Sequence, residues 1–139
     1  DYPMHHNLSN YNKALNQFYL ENPCLWQLDH SPEGFQWIDG SDSEQSVLIF
    51  MRKGRNEKDY MIVAANFTPV VREHYRIGVP EPGTYQEVFN TDETKWGGSG
   101  QVNQSKLQAE PVPWHNQCFS LELKLPPLGV VFLMRTETN

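Results

Sequence analysis

The strongest constraint on the fold is a strict alternation of apolar and polar residues near the end of the chain. In the segment FSLELKL, from Phe119 to Leu125, every second residue is apolar. Successive side chains of a β-strand point to opposite faces, so this period of two predicts a strand with one face in a core and the other in water. The chain must therefore contain a sheet that is covered on at least one side.

Short apolar runs recur about every ten residues and predict further strands. Two runs, 47–51 and 60–67, are continuously apolar, which is typical of central strands covered on both faces. The polar segment 54–59 between them predicts a hairpin loop, and Pro82-Gly83 suits the centre of a type II turn. Together with residues 119–125, about eight strands follow, which predicts a mainly β fold, a sandwich or barrel of antiparallel sheets. The other strands are expected at 35–38, 75–79, 85–90, 106–109 and 130–134.

The first twenty residues have a different period, which predicts a single α-helix. Apolar residues follow each other in steps of three and four, so they share one helical face. Asn7 or Ser9 is expected to cap the start of this helix, and Pro23 to end it. Because a helix of this length is marginal alone, its apolar stripe must pack against something. The residues of the stripe are Leu8, Tyr11, Leu15, Phe18 and Tyr19.

Length and charge limit the classes of partner. The 139 residues suffice for one ordinary domain with its own core. Seventeen acidic and eleven basic residues give a formal net charge of −6, which disfavours nucleic acid and anionic membranes. An apolar run of about 20 residues and a signal-peptide pattern are both missing from the sequence, so we expect a soluble, cytoplasmic protein. The polar tail 135–139 is expected to be frayed.

The cysteines and histidines do not predict a metal site or a cofactor. Cys24 and Cys118 match no ligand spacing, and we expect both to be small, buried, reduced side chains. The five histidines are scattered along the chain. We therefore expect no metal and no cofactor.

The carboxylates show no catalytic pattern either. Acid–base cleavage of a glycosidic bond needs two carboxyl groups at a fixed separation, and no spacing in this sequence indicates such a pair. The sequence also lacks the nucleophile elbow, the phosphate-binding loop and the HExxH motif. Several acidic residues are instead expected to be solvated turn residues: Asp39, Asp42, Glu44, Asp92 and Glu93.

The aromatic residues of two loops are the candidate binding or interface residues. Trp96 precedes a glycine-rich stretch, Gly97 to Gly100, where packing against another domain, local anchoring and sugar contact all remain open. Trp114 and His115 follow two prolines that hold an extended loop or sheet edge, and the pattern favours packing over sugar binding. Two other tryptophans, Trp26 and Trp37, are expected to be core or seam residues.

Five segments carry a resemblance to a known family. In chain order they read NYNKALNQFYLENPCLW, GFQWIDGSDSEQSVLIFMRKG, NFTPVVREHYRIGVPEPGTYQEVFNTDETKWGGSG, AEPVPWH and LPPLG. The chain resembles, over nearly its whole length, the C-terminal domain of bacterial 1,4-α-glucan (glycogen) branching enzymes, which are members of the α-amylase superfamily (glycoside hydrolase family 13). The resemblance implies an antiparallel β-sandwich of the α-amylase C-terminal type, preceded by one helix from the end of the catalytic barrel.

The resemblance also implies a division of the chain and a set of partners. Residues 1–32 would be the last helix of the barrel plus a connector, and residues 33–139 the all-β domain. The parent enzyme would form α-1,6 branches by retaining transglycosylation, with catalytic carboxylates on barrel motifs that have no counterpart in this sequence. The implied partners are the (β/α)8 catalytic domain of the same polypeptide and α-1,4-glucan chains.

Three functions therefore compete. The first is a non-catalytic accessory domain that stabilises the barrel and contacts glucan. The second is a stand-alone carbohydrate-binding module, which would bind α-glucan alone through exposed aromatic residues. An immunoglobulin-like interaction domain is the third, and the lack of a paired cysteine framework counts against it.

Overall fold

The computed structural model describes residues 3–27, 34–42, 46–56, 59–93, 98–103 and 106–137. These residues form one α-helix, a short 3-10 turn at Pro23–Leu25, and eight strands. The helix and the strands are α1 (Pro3–Glu21), β1 (Phe35–Asp42), β2 (Val47–Lys53), β3 (Tyr60–Asn66), β4 (Arg72–Val79), β5 (Thr84–Asn90), β6 (Leu107–Gln108), β7 (Phe119–Leu125) and β8 (Gly129–Glu137).

The strands form two antiparallel sheets. The larger sheet has six strands in the order β1-β2-β3-β8-β5-β6, and the smaller sheet pairs β4 with β7. Every residue of β3 is buried, as expected for a central strand, and β7 has the predicted bounds. The predicted β-sandwich with about eight antiparallel strands is confirmed.

The core lies between the two sheets. It takes alternate residues from each strand, so the period of two decides which side chains it receives. Two tyrosine hydroxyl groups meet inside it, since the Tyr60 and Tyr85 oxygens are 2.9 Å apart. The Tyr85 hydroxyl donates onward to the Glu81 carbonyl at 2.9 Å, so these polar atoms are satisfied. The largest apolar members of the core are Ile49, Ile62, Ile77, Leu121, Leu125 and Leu133.

The C-terminal end of the helix packs on the outer face of the six-stranded sheet. The Phe18 ring lies 5.1 Å from that of Phe89 and 5.4 Å from that of Phe132, measured between centroids. Below them, Cys24 and Met61 are fully buried in the same small cluster. Residues from the end of the helix therefore belong to the cover of this sheet.

The helix begins earlier than its sequence pattern predicts. Since α1 starts at Pro3, Asn7 and Ser9 lie inside it and not at its N-cap. Proline is compatible with the first turn because the amide it lacks has no intrahelical partner there. The end is as predicted: the helix stops at Glu21, and the Asn22 side chain donates to the Phe18 carbonyl at 2.7 Å.

The C-terminal segment is also more ordered than predicted. Strand β8 continues to Glu137, so the expectation of a frayed tail was wrong for residues 135–137, and residues 138–139 lie outside the described residues. The Arg135 Nε donates to the Pro82 carbonyl at 2.7 Å, and the Thr136 hydroxyl donates to the Thr84 carbonyl at 3.3 Å. These bonds hold the strand end against β5 and the turn before it.

The burial of two tryptophans and one cysteine differs in part from expectation. Of the two alternatives for Trp26 and Trp37, core or seam, the structure excludes the core, and the seam stays a prediction. Trp37 is 52% exposed because it faces the outer side of the sheet, next to the rings of Phe35 and Phe50. Of the two free cysteines, Cys24 is buried as expected. Cys118 is exposed because it lies in the turn before β7.

The segment with Asp39 and Asp42 belongs to β1 and is not a loop, whereas Glu44 lies outside the described residues. No helix in the described part of the chain combines the length and apolarity needed to cross a membrane.

Candidate functional site

Trp114 and His115 lie in a tight turn between β6 and β7. The Trp114 amide donates to the Gln117 carbonyl at 3.0 Å, and the Gln117 amide donates back at 2.9 Å. The two central residues, His115 and Asn116, have φ of 51° and 62°. Positive φ at both central positions is typical of type I′ turns, and histidine and asparagine adopt it more readily than bulky residues. The turn is therefore defined by its own backbone, and Trp114 projects from it with 45% of its surface exposed.

The turn is fixed to the small sheet. The Gly78 amide of β4 donates to His115 Nδ1 at 3.2 Å, which requires that the neutral imidazole carry its proton on Nε2. A Cβ atom at Gly78 would collide with the Trp114 carbonyl, so only glycine permits this close approach. Next to it, Glu110 and Ser120 exchange two backbone hydrogen bonds of 2.7 and 3.0 Å. Sheet and turn form one rigid platform.

A groove crosses the outer face of this sheet, and we call it the polar groove. Its larger cavity, about 610 Å³, meets a smaller one of about 290 Å³, and both are lined by Glu73, His74 and Glu122. The larger cavity is also lined by Val71, Arg72, Tyr75, Arg76, Trp114 and His115. The smaller is also lined by Val102, Asn103, Leu107, Leu123 and Lys124.

Arg76 organises the charges of the polar groove. Its guanidinium donates to the Ser120 hydroxyl at 2.7 Å, and to the carboxylates of Glu110 and Glu122 at 3.1 and 3.2 Å. His74 adds a weaker contact, with its Nδ1 3.8 Å from the second Glu122 oxygen. An arginine held by two carboxylates and a hydroxyl keeps its planar group in one orientation.

A β-bulge brings His74 into the groove. The pairing of β4 with β7 shifts register between Arg72 and Tyr75, and His74 has φ of 54°. Bulges redirect side chains, and at this position the imidazole is 85% exposed. The strained backbone and the exposed ring lie together at the junction of the two cavities.

The opposite side of the sandwich carries an apolar surface. Between the end of α1 and the outer face of the six-stranded sheet runs a cleft of about 720 Å³, and we call its lining the apolar face. It is extended by a cluster of aromatic rings, in which Phe35 stacks on Phe50 with centroids 5.0 Å apart. The cleft is lined by Leu15, Asn16, Phe18, Tyr19, Leu25, Phe50, Arg52, Val63, Ala65, Val130 and Phe132.

Asp92 stabilises the loop after β5 and is not the solvated turn residue that was predicted. Its carboxylate accepts hydrogen bonds from the Ser99 amide at 3.0 Å, the Ser99 hydroxyl at 2.6 Å and the Gln101 amide at 2.9 Å. Burial favours a higher pKa for Asp92, but these hydrogen bonds outweigh it and leave the pKa lowered. Trp96 itself, the third candidate residue, lies outside the described residues.

Glu87 has the opposite electrostatic environment. Burial raises the pKa of its carboxyl group, and hydrogen bonds from the Asn103 and Asn90 side chains offset only part of the rise. The Asn103 amide group also joins Glu87 to the Lys124 carbonyl, at 2.7 and 2.8 Å. Glu87 therefore ties β5 to β7 through one asparagine, which is a structural role.

The structure thus brings two of the three candidate residues together and adds others. Trp114 and His115 share one cavity with Arg76, His74 and Glu122, which were not among the predicted site residues. The alternation in residues 119–125 places Glu122 on the polar face of β7, so the sequence could have indicated it. No sequence pattern indicates the bulge at His74. Across the described residues, histidine, cysteine and acidic side chains form no group of three that suits a metal ion.

Comparison with known proteins identifies the family. The family described as "Alpha amylase, C-terminal all-beta domain" matches residues 37–136. The chain belongs to this family. The match covers all eight strands except the first two residues of β1 and the last residue of β8. The sandwich that carries the polar groove and the apolar face is therefore the fold of this family.

The relatives of this all-beta domain are long enzymes. The chain is 52% identical to the 1,4-alpha-glucan branching enzyme GlgB of Halothermothrix orenii, over 95% of the chain and 21% of that protein. It is 56% identical to GlgB of Rubrobacter xylanophilus over 86% of the chain and 16% of that protein. For GlgB of Bacillus mycoides, the identity is 45% over 100% of the chain and 22% of that protein. The chain spans about a fifth of the length of the curated relatives it matches.

Proposed function

We propose that this chain is the non-catalytic C-terminal domain of a 1,4-α-glucan branching enzyme. The observation that supports this proposal is its 45–56% identity to proteins named as such enzymes, each of which it covers over about a fifth of its length. The parent enzyme forms α-1,6 branches by retaining transglycosylation. In this proposal the nucleophile and the acid–base residue come from the remaining part of the polypeptide.

The role of the domain in the parent is to pack against the catalytic barrel through the apolar face. A cleft lined mainly by aliphatic and aromatic side chains beside an exposed aromatic ring is costly in water, and such patches mark contact surfaces. Leu20 and Tyr19 of α1 add apolar surface, with 66% and 40% exposure. About four-fifths of each relative lies outside the matched region, and this part of the polypeptide supplies the covering partner.

The test compares one substitution in two contexts. Phe50→Asp places a charge in the apolar face, and Phe67→Asp places the same charge at an exposed loop position that does not line the cleft. In the full-length enzyme, Phe50→Asp should lower the unfolding free energy by about 2 kcal/mol more than in the 139-residue chain alone. Phe67→Asp should show no such difference.

Two results count against the proposal. Equal costs of Phe50→Asp in both contexts would show that nothing covers the apolar face. Glucan branching by the purified 139-residue chain, free of host enzyme, would show that the domain is catalytic. The division at residues 32 and 33, and the cytoplasmic location, stay predictions of the proposed family role.

A further inference from the structure

We propose that the polar groove is a binding site for a neutral, linear oligosaccharide, in which a sugar ring packs on Trp114 and its hydroxyl groups bond to the Arg76–Glu122 pair. Choosing α-1,4-glucan as the oligosaccharide depends on the function proposed above. The existence of the site depends only on the groove.

The charge balance of the groove favours a neutral ligand. The lining of the groove, together with the Glu110 carboxylate bound to Arg76, has three cationic and three anionic side chains, so their formal charges cancel: Arg72, Arg76 and Lys124 against Glu73, Glu110 and Glu122. A phosphate or an ammonium group gains no net attraction there. A molecule with many hydroxyl groups finds both donors and acceptors, which is how small-molecule sites fix the orientation of polar ligands.

Trp114 supplies the apolar part of the site. The C–H face of a pyranose ring is apolar and packs on an indole, while the ring hydroxyl groups point outward to polar partners. The Trp114 turn is closed by its own hydrogen bonds and held to β4 through His115, so little conformational entropy is lost on binding. The His115 imidazole lies beside the indole, with the two ring centroids 6.1 Å apart.

The shape of the groove suits a chain and not a single ring. The larger cavity, about 610 Å³, is within the range of small-molecule sites, roughly 300–1,000 Å³. At His74 it continues into the second cavity, which ends near Val102 and Lys124. A linear oligosaccharide would therefore extend from Trp114 across Glu122 toward Lys124.

The position of the groove keeps it accessible in the parent enzyme. The polar groove lies on the outer face of β4–β7, whereas the apolar face lies on the outer side of the six-stranded sheet. Because the core separates the two faces, a domain that covers one leaves the other open. The groove would hold a glucan chain on the side of the domain that faces solvent.

The experiment is an NMR titration of the ¹⁵N-labelled 139-residue chain with maltoheptaose. We expect saturable shifts of the Trp114 indole and of the Gly78 and Ser120 amides, with Kd about 1 mM as for a shallow site. Trp114→Ala should raise Kd at least about tenfold, and Trp114→Phe should retain most of the affinity. The matched control is Trp37→Ala, which removes another exposed indole, on the opposite face, and should leave Kd unchanged.

Three results would overturn the site. The Trp114 indole resonance stays unmoved at about 10 mM maltoheptaose and at the same concentration of cellohexaose. Trp37→Ala abolishes binding while Trp114→Ala does not. An extended peptide, added as a competitor, shifts the same resonances more strongly than the sugar does. Shifts with cellohexaose alone would keep the site and remove α-1,4-glucan as its ligand.

The two proposals fail separately. Branching activity of the full-length enzyme tests the proposed function without reference to the groove. An active enzyme whose domain gives no shifts would remove only the oligosaccharide site. A full-length protein without branching activity, but with shifts at Trp114, would remove only the proposed function.

Discussion

The Asp92 side chain holds the loop after β5 together, a role that its neighbours in the sequence do not indicate. Placed between Thr91 and Glu93, it has the surroundings of a solvated turn residue, yet it is only 8% exposed. Its two oxygens accept bonds from residues seven and nine positions away. Gly98 permits this close approach because it has no Cβ atom, which would collide with the Asp92 backbone. Gly100 has φ of 87°.

Asp92→Asn should therefore destabilise the chain in a pH-dependent way. The folded-state pKa of Asp92 is lowered below its usual 3.8, so the ionised carboxylate stabilises the fold above that pH. This stability is lost as the pH falls below 3.8 through the folded pKa. At pH 7 we expect the variant to lose about 2 kcal/mol in urea unfolding, and the difference from the wild type to shrink below pH 4. A difference that is constant from pH 7 to pH 3 would contradict this.

The Tyr60–Tyr85 pair predicts an asymmetry between two equivalent substitutions. Burial raises the pKa of both phenols, so both hydroxyl groups stay protonated and need hydrogen-bond partners. Tyr60→Phe leaves the Tyr85 hydroxyl bonded to the Glu81 carbonyl. Tyr85→Phe removes two hydrogen bonds, the one to Tyr60 and the one to the Glu81 carbonyl.

We expect Tyr85→Phe to cost about 2 kcal/mol and Tyr60→Phe about 1 kcal/mol in unfolding free energy. Chemical denaturation of the two variants and the double variant measures the costs and their coupling. The order of the two costs is the critical result, and a reversed order would exclude a hydrogen-bond chain that runs from Tyr60 through Tyr85 to the Glu81 carbonyl.

Among the secondary-structure elements, α1 depends most on its contacts with the sheet. In proteins most of the stability of a helix comes from packing of its apolar face, and the Phe18 ring provides contacts with both Phe89 and Phe132. Two further side chains of the helix, Leu15 and Tyr19, line the open cleft of the apolar face. The helix should therefore be less stable than the sandwich in the isolated chain.

Phe18→Ala should detach the helix and leave the sandwich folded. We expect loss of about 2 kcal/mol of amide protection over residues 12–21, because the ring contacts with β5 and β8 disappear. Protection in β3 should change little. Hydrogen exchange read by mass spectrometry measures both, and Lys13→Ala, at an exposed helix position, is the control. An equal loss of protection in β3 would show that helix and sandwich unfold together.

The molecule as a whole has two unlike outer faces around one core. Its polar face carries the platform of β4, β7 and the Trp114 turn, and its apolar face carries α1 and the exposed rings of β1 and β2. The two cysteines lie in different parts of the molecule. Cys118 lies in the exposed turn before β7, and Cys24 lies buried under the helix.

Thiol labelling at pH 8 should separate the two cysteines. Cys118 should react quickly because it is exposed. Cys24 should be protected, because burial, together with the negative charge of Asp59, raises its pKa to about 12. If residues 1–32 open independently, as the predicted division implies, Cys24 should label faster than global unfolding allows. Labelling of Cys24 at the global unfolding rate would argue for one cooperative unit instead.

Sequence patterns predicted the elements well because those patterns are local. The alternation in 119–125 marked β7 residue by residue, and the apolar runs marked β2 and β3, since burial on one face or two repeats along a strand. At the end of β3, the side-chain amide of Asn66 donates to the carbonyls of Val70 and Pro126 at 2.9 Å. The order of residues 135–137 was missed, because this segment is held by hydrogen bonds to Pro82 and Thr84, far away in the sequence.

What the chain's sequence determined by itself is its class: an antiparallel β-sandwich with one helix, and the motifs shared with branching enzymes. The tertiary structure alone decided which residues form a site. Arg76 and Ser120 are 44 positions apart and meet only because β4 pairs with β7. Trp114 lies near them because its turn packs closely on Gly78 of β4. Periodicity along a strand reports burial, but proximity between distant residues arises from strand pairing, a property of the folded chain.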